Sequence, residues 1–221
     1  MNKGPLPDEI SYERWVSYVF DHPVLPKAWW WHDEESEYYE SWNEETNPVR
    51  TLQFLTRLFR EPDELRGRFS AAQIDQGLNL LVSSSCGSYM FCLHDTAIPW
   101  EARQACIEAM IPLYERLMGP VYDSPGTNNF ACYIWWDVIP LHGGMDHPDR
   151  DRINNAVIHV FEAMATTRSP ACLESVLHGL GHWHLYLPNR TEPIVDRILA
   201  RRDLTKEQRH YAKLARRGMV Q

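Results

Sequence analysis

Two histidines four residues apart are the strongest candidates for chemistry in this sequence. His178 and His182 stand in the segment HGLGH, and an α-helix places residues at this spacing on one face, in line with Glu174. Two imidazoles in that arrangement can share a zinc ion. In the zinc motif HExxH a glutamate follows the first histidine and acts as general base, but Gly179 occupies that position here. The spacing therefore predicts either a zinc site or two half-buried imidazoles that bond to backbone carbonyls or to Glu174.

A second group of candidate ligands lies in the loop PLHGGMDHP, which contains His142, Asp146 and His147. If His142 and His147 met His178 and His182 in space, histidine and carboxylate ligands with an open position could activate water for hydrolysis. That combination is the alternative function, a metal-dependent hydrolase with zinc as its cofactor. The competing interpretation is a solvated loop and a protein without a cofactor.

The segment Trp29–Glu45, WWWHDEESEYYESWNEE, combines six tryptophans and tyrosines with seven acidic residues. One interpretation is a helix or turn whose aromatic side packs on the body of the protein. The other is a surface where aromatic anchors contact a partner and carboxylates steer a basic protein towards it. The candidate partner-binding residues are Trp29, Trp30, Trp31, Glu34, Glu35, Glu37, Tyr38, Tyr39, Trp42, Glu44 and Glu45.

Charge is distributed unevenly along a chain whose net charge is −8. Residues 1–50 contain eleven acidic and four basic residues, whereas Arg201–Arg217 contains seven basic and two acidic residues. The overall balance argues against nonspecific binding to nucleic acid. The basic end leaves a nucleic-acid interaction open, but such a surplus is more typical of a solvated helix face.

Composition indicates an ordinary globular protein, with 44% hydrophobic and 24% charged residues. The five cysteines are scattered without a CxxC pair, which favours free thiols in a reducing compartment. No window approaches the roughly 20 apolar residues of a membrane span, and the first residues lack the apolar core of a signal peptide. We therefore expect a cytoplasmic protein with no membrane association.

Helical periodicity dominates the chain, and no segment alternates with the period of a strand. The predicted helices cover Asp8–Phe20, Asn47–Arg60, Ser70–Val82, Ser88–His94, Pro99–Met118 with a kink at Pro112, Phe130–Ile139, Asp149–Ala165, a helix that Ser169 begins and Pro188 ends, Glu192–Arg202 and Lys206–Arg217. These patterns predict an all-α fold of antiparallel helix pairs, either HEAT-like or an irregular helical bundle. Residues 1–221 are expected to form a single domain, with a candidate sub-boundary in the loop 119–129.

The predicted helix that begins at Ser169 carries the clearest boundary signals. Ser169 can cap the first turn, and Pro170 suits the first helical position because its missing N–H has no partner there. Gly179 and Gly181 lie inside the helix, where each costs about 1 kcal/mol relative to alanine. Their presence predicts a neighbouring helix that approaches too closely for a side chain.

The last quarter of the chain, with LESVLHGLGHW, PIVDRILARR and EQRHYAKLARRG, resembles one unit of the HEAT-type helical-repeat proteins. The resemblance implies a helical scaffold with a binding surface, and it transfers no catalytic residue. With no complete catalytic motif, the sequence favours a noncatalytic, cytoplasmic protein-binding scaffold for a partner with a basic surface. A bacterial immunity protein that covers the basic active site of a toxin is one concrete form of this hypothesis.

Overall fold

A computed structural model describes residues 4–5, 9–32, 36–37, 39–43, 47–141, 144 and 146–220. The described part of the chain is mostly helical, as the sequence predicts. Its α-helices are α1 (Tyr12–Phe20), α2 (Pro48–Arg60), α3 (Ala71–Val82), α4 (Trp100–Glu108), α5 (Met110–Leu113), α6 (Gly119–Tyr122), α7 (Phe130–Val138), α8 (Arg150–Met164), α9 (Pro170–His184), α10 (Pro188–Leu199) and α11 (Lys206–Ala215).

Short irregular elements connect these helices. Three 3₁₀ turns cover Trp29–Trp31, Pro62–Leu65 and Tyr89–Leu93, and a π-helical turn covers Tyr114–Met118. Two two-residue strands, β1 (Gly4–Pro5) and β2 (Glu40–Ser41), pair in parallel with Gly4 opposite Glu40. The all-α class is confirmed, because this ladder is the only sheet in the described residues.

Capping explains where several helices begin. The hydroxyl of Ser169 accepts a hydrogen bond from the Cys172 amide at 3.1 Å, and Pro170 takes the first position of α9. Ser70 begins α3 with a capping box, in which its hydroxyl accepts from the Gln73 amide while the Gln73 side chain accepts from the Ser70 amide. These boundaries agree with those read from the sequence.

Other boundaries correct the sequence prediction. The predicted loop 119–129 begins later, because Gly119–Tyr122 is helical and continues directly from the π turn. Helix α10 begins at Pro188 rather than Glu192, so this proline opens a helix instead of only ending the previous one. No helix among the described residues is sufficiently long and apolar to span a membrane.

One apolar cluster includes buried residues from α1 to α11. Helices α7 and α9 pack closely within it, since a methyl group built on Gly179 would lie 2.7 Å from Trp136 Cγ and 2.8 Å from Phe161 Cζ. This confirms the close approach of a neighbouring helix predicted for Gly179, whereas a methyl group on Gly181 would meet Val220, which lies outside any helix. The two helices run in the same direction. The Ser175 hydroxyl donates a hydrogen bond to the Cys132 carbonyl near one end of the pair, and Asp137 lies beside His182 near the other end. Antiparallel pairing of consecutive helices stays a prediction.

Candidate metal-binding site

The parallel packing of α7 and α9 brings three ligand-type side chains together. Helix periodicity puts His178 and His182 on one face of α9, and Tyr133 and Asp137 on one face of α7. Tyr133 then packs against His178 with ring centres 4.4 Å apart and ring planes tilted by 40°, and Asp137 lies beside His182 one turn further along. One ligand atom each from Asp137, His178 and His182 lies within 4.8 Å of the other two.

The distances inside this group suit a common ion. Nε2 of His178 lies 3.0 Å from Nε2 of His182, and the same His182 atom lies 3.5 Å from Oδ1 of Asp137. Nitrogen ligands bind zinc at about 2.0–2.1 Å, so two ligands of a tetrahedral ion are about 3.3 Å apart. The two measured separations lie on either side of that value.

One edge of the group is open to solvent while the other is closed. His178 is buried, whereas the side chain of His182 is 34% exposed and that of Asp137 is 46% exposed. An ion held by these three groups would therefore keep a position for water on the exposed side. Zinc sites with three protein ligands and an open position are the catalytic kind.

Two tyrosines fix the orientation of the buried histidine. Nδ1 of His178 lies 2.6 Å from the Tyr211 hydroxyl on α11, and that hydroxyl lies 3.2 Å from the Tyr133 hydroxyl on α7. When Nε2 of His178 faces the group as an acceptor, Nδ1 carries the proton and donates it to Tyr211. A hydrogen bond of this kind holds the ring orientation and tautomer that a metal ligand needs.

Burial also sets the protonation states here. Desolvation and, to a smaller extent, the adjacent His182 lower the pKa of His178 to about 4, while Asp137 opposes the shift. His178 is therefore a neutral imidazole at neutral pH, which is the form that binds metal. Burial, together with the neighbouring Tyr133 hydroxyl, raises the pKa of Tyr211 above its ordinary value.

The other predicted ligands do not join this group. His147 lies beside His94, where its Nε2 donates to the His94 carbonyl at 2.8 Å and its Nδ1 accepts from the Asp149 amide at 3.1 Å. Both ring nitrogens of His147 are therefore already hydrogen-bonded away from α9. Asp146 is exposed, and His142 lies outside the described residues. Glu174 is also exposed and contacts Asn129 at 3.5 Å rather than His178, which corrects its predicted pairing.

The predicted partner-binding segment divides between core and surface. Trp29 is buried and stacks on His22 with ring centres 3.7 Å apart, and Trp42 is buried against Trp15. These two tryptophans fill apolar faces left by α1 and α2, so neither side chain is accessible to a partner. Trp31 is 53% exposed.

The remaining members of that segment are placed as follows. Trp30 and Tyr39 are half-buried, and Glu37 is exposed. Glu34, Glu35, Tyr38, Glu44 and Glu45 lie outside the described residues. Of the carboxylates nearby, Glu40 is not at the surface, because it is buried and pairs with Arg14.

The basic end of the chain uses several of its charges within the protein. Arg216 pairs with Asp196 at 2.7 Å and with Glu192 at 3.0 Å. Arg209 donates to the carbonyls of Leu199 and Arg201 at 2.6 and 2.7 Å. These arginines hold α11 to α10, which reduces the charge available to a nucleic acid.

The sequence predicted two of the three candidate ligands, His178 and His182, but not Asp137. The sequence does single out Asp137, because it is the one charged residue in the apolar stretch FACYIWWDVI. A single carboxylate in an otherwise apolar helix marks the side of that helix that reaches solvent, and Asp137 lies there beside His182.

The chain matches no protein-family model, and comparisons with curated proteins and with solved structures also found no match. The HEAT-type resemblance therefore stays a prediction.

Proposed function

We propose that this protein binds a zinc ion through Asp137, His178 and His182 and uses it to activate water for hydrolysis. The observation that carries the proposal is the convergence of three ligand atoms within 4.8 Å from two helices. Two supporting features are the tyrosine that orients His178 and the solvent-exposed edge at His182. Zinc lowers the pKa of a bound water to about 7, which generates a nucleophile near neutral pH.

The same donor set also suits Fe(II). Two histidines and one carboxylate also hold Fe(II) in non-haem oxygenases. The 3.0 Å between the two histidine Nε2 atoms and the 3.5 Å between His182 Nε2 and Asp137 Oδ1 are compatible with the ligand–ligand distances of either a tetrahedral or an octahedral ion. The metal must therefore be identified by competition between zinc and Fe(II), with Fe(II) added under anaerobic conditions.

Metal analysis and calorimetry test the site directly. We expect about one equivalent of zinc per chain, and a 10- to 100-fold or greater loss of affinity in Asp137→Asn and His182→Ala. His159→Ala is the matched control, because His159 is an exposed histidine on α8. Less than about 0.1 equivalent of bound metal after zinc addition would end the proposal.

Hydrolysis requires a separate assay once binding is established. Chromogenic carboxylic and phosphoric esters are suitable first probes, with the zinc-loaded protein compared with Asp137→Asn. Turnover that depends on zinc and disappears in the variant supports a metal-dependent hydrolase. Zinc binding without turnover of either ester class would leave a metal-binding protein and remove the catalytic part of the proposal.

A second candidate function is the noncatalytic scaffold, such as an immunity protein that binds a basic toxin surface. The exposure of Trp31 favours it, because an indole 53% accessible to solvent can anchor a partner. Exposed Glu37 lies in the same segment. A pull-down with the Trp31→Ala, Glu37→Lys double variant tests this surface, and capture of the same basic protein by variant and wild type would exclude it.

A further inference from the structure

Helix α11 contacts the protein through few fully buried side chains; half-buried Tyr211 and Leu214 and the polar contacts of Arg209 supply the rest. Of its ten residues only Ala212 and Ala215 are buried, and both side chains are small. The ion pair of Arg216 with Asp196 is exposed and contributes little to stability. Elements with so little buried apolar area open at lower free energy than the core around them.

Tyr211 is the side chain of α11 that reaches the candidate metal site. Its hydroxyl lies 2.6 Å from Nδ1 of His178 and 3.2 Å from the hydroxyl of Tyr133. The ring lies parallel to the imidazole, with 7° between the two planes. A change at Nε2 of His178 therefore acts on Nδ1 and on the tyrosine bound there.

The same tyrosine forms part of a groove of about 780 Å³. Helix α11 supplies one wall with Lys206, His210 and Tyr211, while Asn129 and Glu174 lie on the opposite side. If α11 moves away from α9, this groove loses a wall. The packing of α11 thus determines the shape of this groove, which Tyr211 connects to the candidate metal site.

We propose that Tyr211 couples occupancy of the metal site to the packing of α11, so that metal binding closes α11 and completes the groove. This inference rests on the zinc site proposed above. A metal at Nε2 makes the Nδ1 proton of His178 a stronger donor, and Tyr211 can accept it only when α11 is packed. By reciprocity, the factor by which packed α11 tightens zinc binding equals the factor by which zinc suppresses its opening.

Amide hydrogen exchange of the full chain, with zinc or with a chelator, measures this coupling. Loss of a hydrogen-bonded partner behind a metal ligand typically lowers affinity 10- to 100-fold. We therefore expect zinc to slow exchange in α11 by 10- to 100-fold and then to reach a plateau as zinc rises. The plateau arises because the opened state still binds zinc through its three ligands. In contrast, the protection of core amides that exchange by global unfolding should keep increasing with zinc concentration, because the unfolded chain lacks the site.

Tyr211→Phe removes the acceptor and keeps the ring. In this variant zinc should still bind, with an affinity lower by the same factor, and its effect on α11 exchange should disappear. Tyr186→Phe is the control, because Tyr186 is 49% exposed and follows the end of α9. Circular dichroism of both variants without zinc shows whether the fold is intact, which separates a lost coupling from a lost fold.

The outcomes distinguish this inference from the proposed function. If zinc binds wild type and Asp137→Asn abolishes binding, but zinc leaves α11 exchange unchanged, the coupling is wrong and the site stands. Equal protection of α11 in wild type and Tyr211→Phe has the same meaning. If wild type binds no zinc, both the site and the coupling are wrong.

Discussion

Alanine substitutions at the two glycines inside α9 should have opposite effects on stability. At both positions alanine favours the helix by about 1 kcal/mol relative to glycine. The difference lies in what the added methyl group meets. At Gly179 it meets the rings of Trp136 and Phe161, and at Gly181 it meets the methyl groups of Val220.

The rings near Gly179 have nowhere to move. Trp136 and Phe161 are both fully buried, and their ring centres are 4.7 Å apart. Phe161 also packs on Trp183 at 5.6 Å. An extra methyl group in a filled core costs about 1–3 kcal/mol. After the gain of about 1 kcal/mol from helix propensity, we expect Gly179→Ala to lower the free energy of unfolding by up to about 2 kcal/mol.

Val220 offers little resistance to the methyl group at Gly181. It follows α11, lies outside any helix and is half-buried. Both of its methyl groups would lie 2.5 Å from the added group, but the chain end that carries them is not held in a helix and can shift, so most of the helix-propensity gain is kept. We expect Gly181→Ala to raise the free energy of unfolding by about 0.5–1 kcal/mol.

Urea unfolding followed by circular dichroism measures both changes. The two midpoints should move in opposite directions with an unchanged m-value, and the variants should differ by about 2 kcal/mol. If Gly179→Ala is as stable as Gly181→Ala, the close packing of α7, α8 and α9 described here is wrong.

Three further predictions concern titration, a buried ion pair and the remaining histidines. Because the pKa of His178 is lowered from its unfolded value of about 6.5 to about 4, its stabilising contribution is complete above pH 6.5 and is lost as the pH falls towards 4. We expect zinc-free protein to lose about 1–2 kcal/mol between pH 7 and pH 5 after allowance for solvent screening, and urea unfolding of His178→Gln should show a smaller loss. Arg103 is buried, donates to Asp149 at 2.5 Å and also binds two backbone carbonyls, so Arg103→Met should destabilise the protein by about 3–5 kcal/mol in the same assay. His147→Ala should leave zinc affinity unchanged in calorimetry, since both ring nitrogens are already bonded, whereas a loss of affinity in His142→Ala would support the sequence prediction for that residue.

Signals within one turn of a helix were sufficient to predict many boundaries. Ser70 and Ser169 begin helices because their hydroxyls bond amides three residues ahead, and that requirement is local. Pro188 shows the limit of such signals. A proline that cannot continue one helix is equally suited to begin the next, and only the packing of the three-residue connection decides between the two roles.

The sequence of the segment Trp29–Glu45 could not predict which of its aromatic side chains are buried. Trp29 and Trp31 are two residues apart in the same run of tryptophans, yet one is buried and the other is half exposed. The difference depends on where His22 and Tyr18 present their rings, and therefore on the position of α1. Composition predicted an aromatic segment, but only tertiary packing decides which members contact the core.

The third candidate ligand, Asp137, was missed for a related reason, because its position depends on how two helices that are separated in sequence pack together. The absence of a side chain at Gly179 allows Trp136 of α7 to contact the backbone of α9. Asp137 is the next residue along α7, and this contact fixes its height against His182 at 3.5 Å. A larger residue at 179 would separate the helices at the level of the ligands. Gly179, at the position of the HExxH glutamate, therefore cannot act as a general base. Its lack of a side chain allows the carboxylate of Asp137, on a second helix, to lie beside His182.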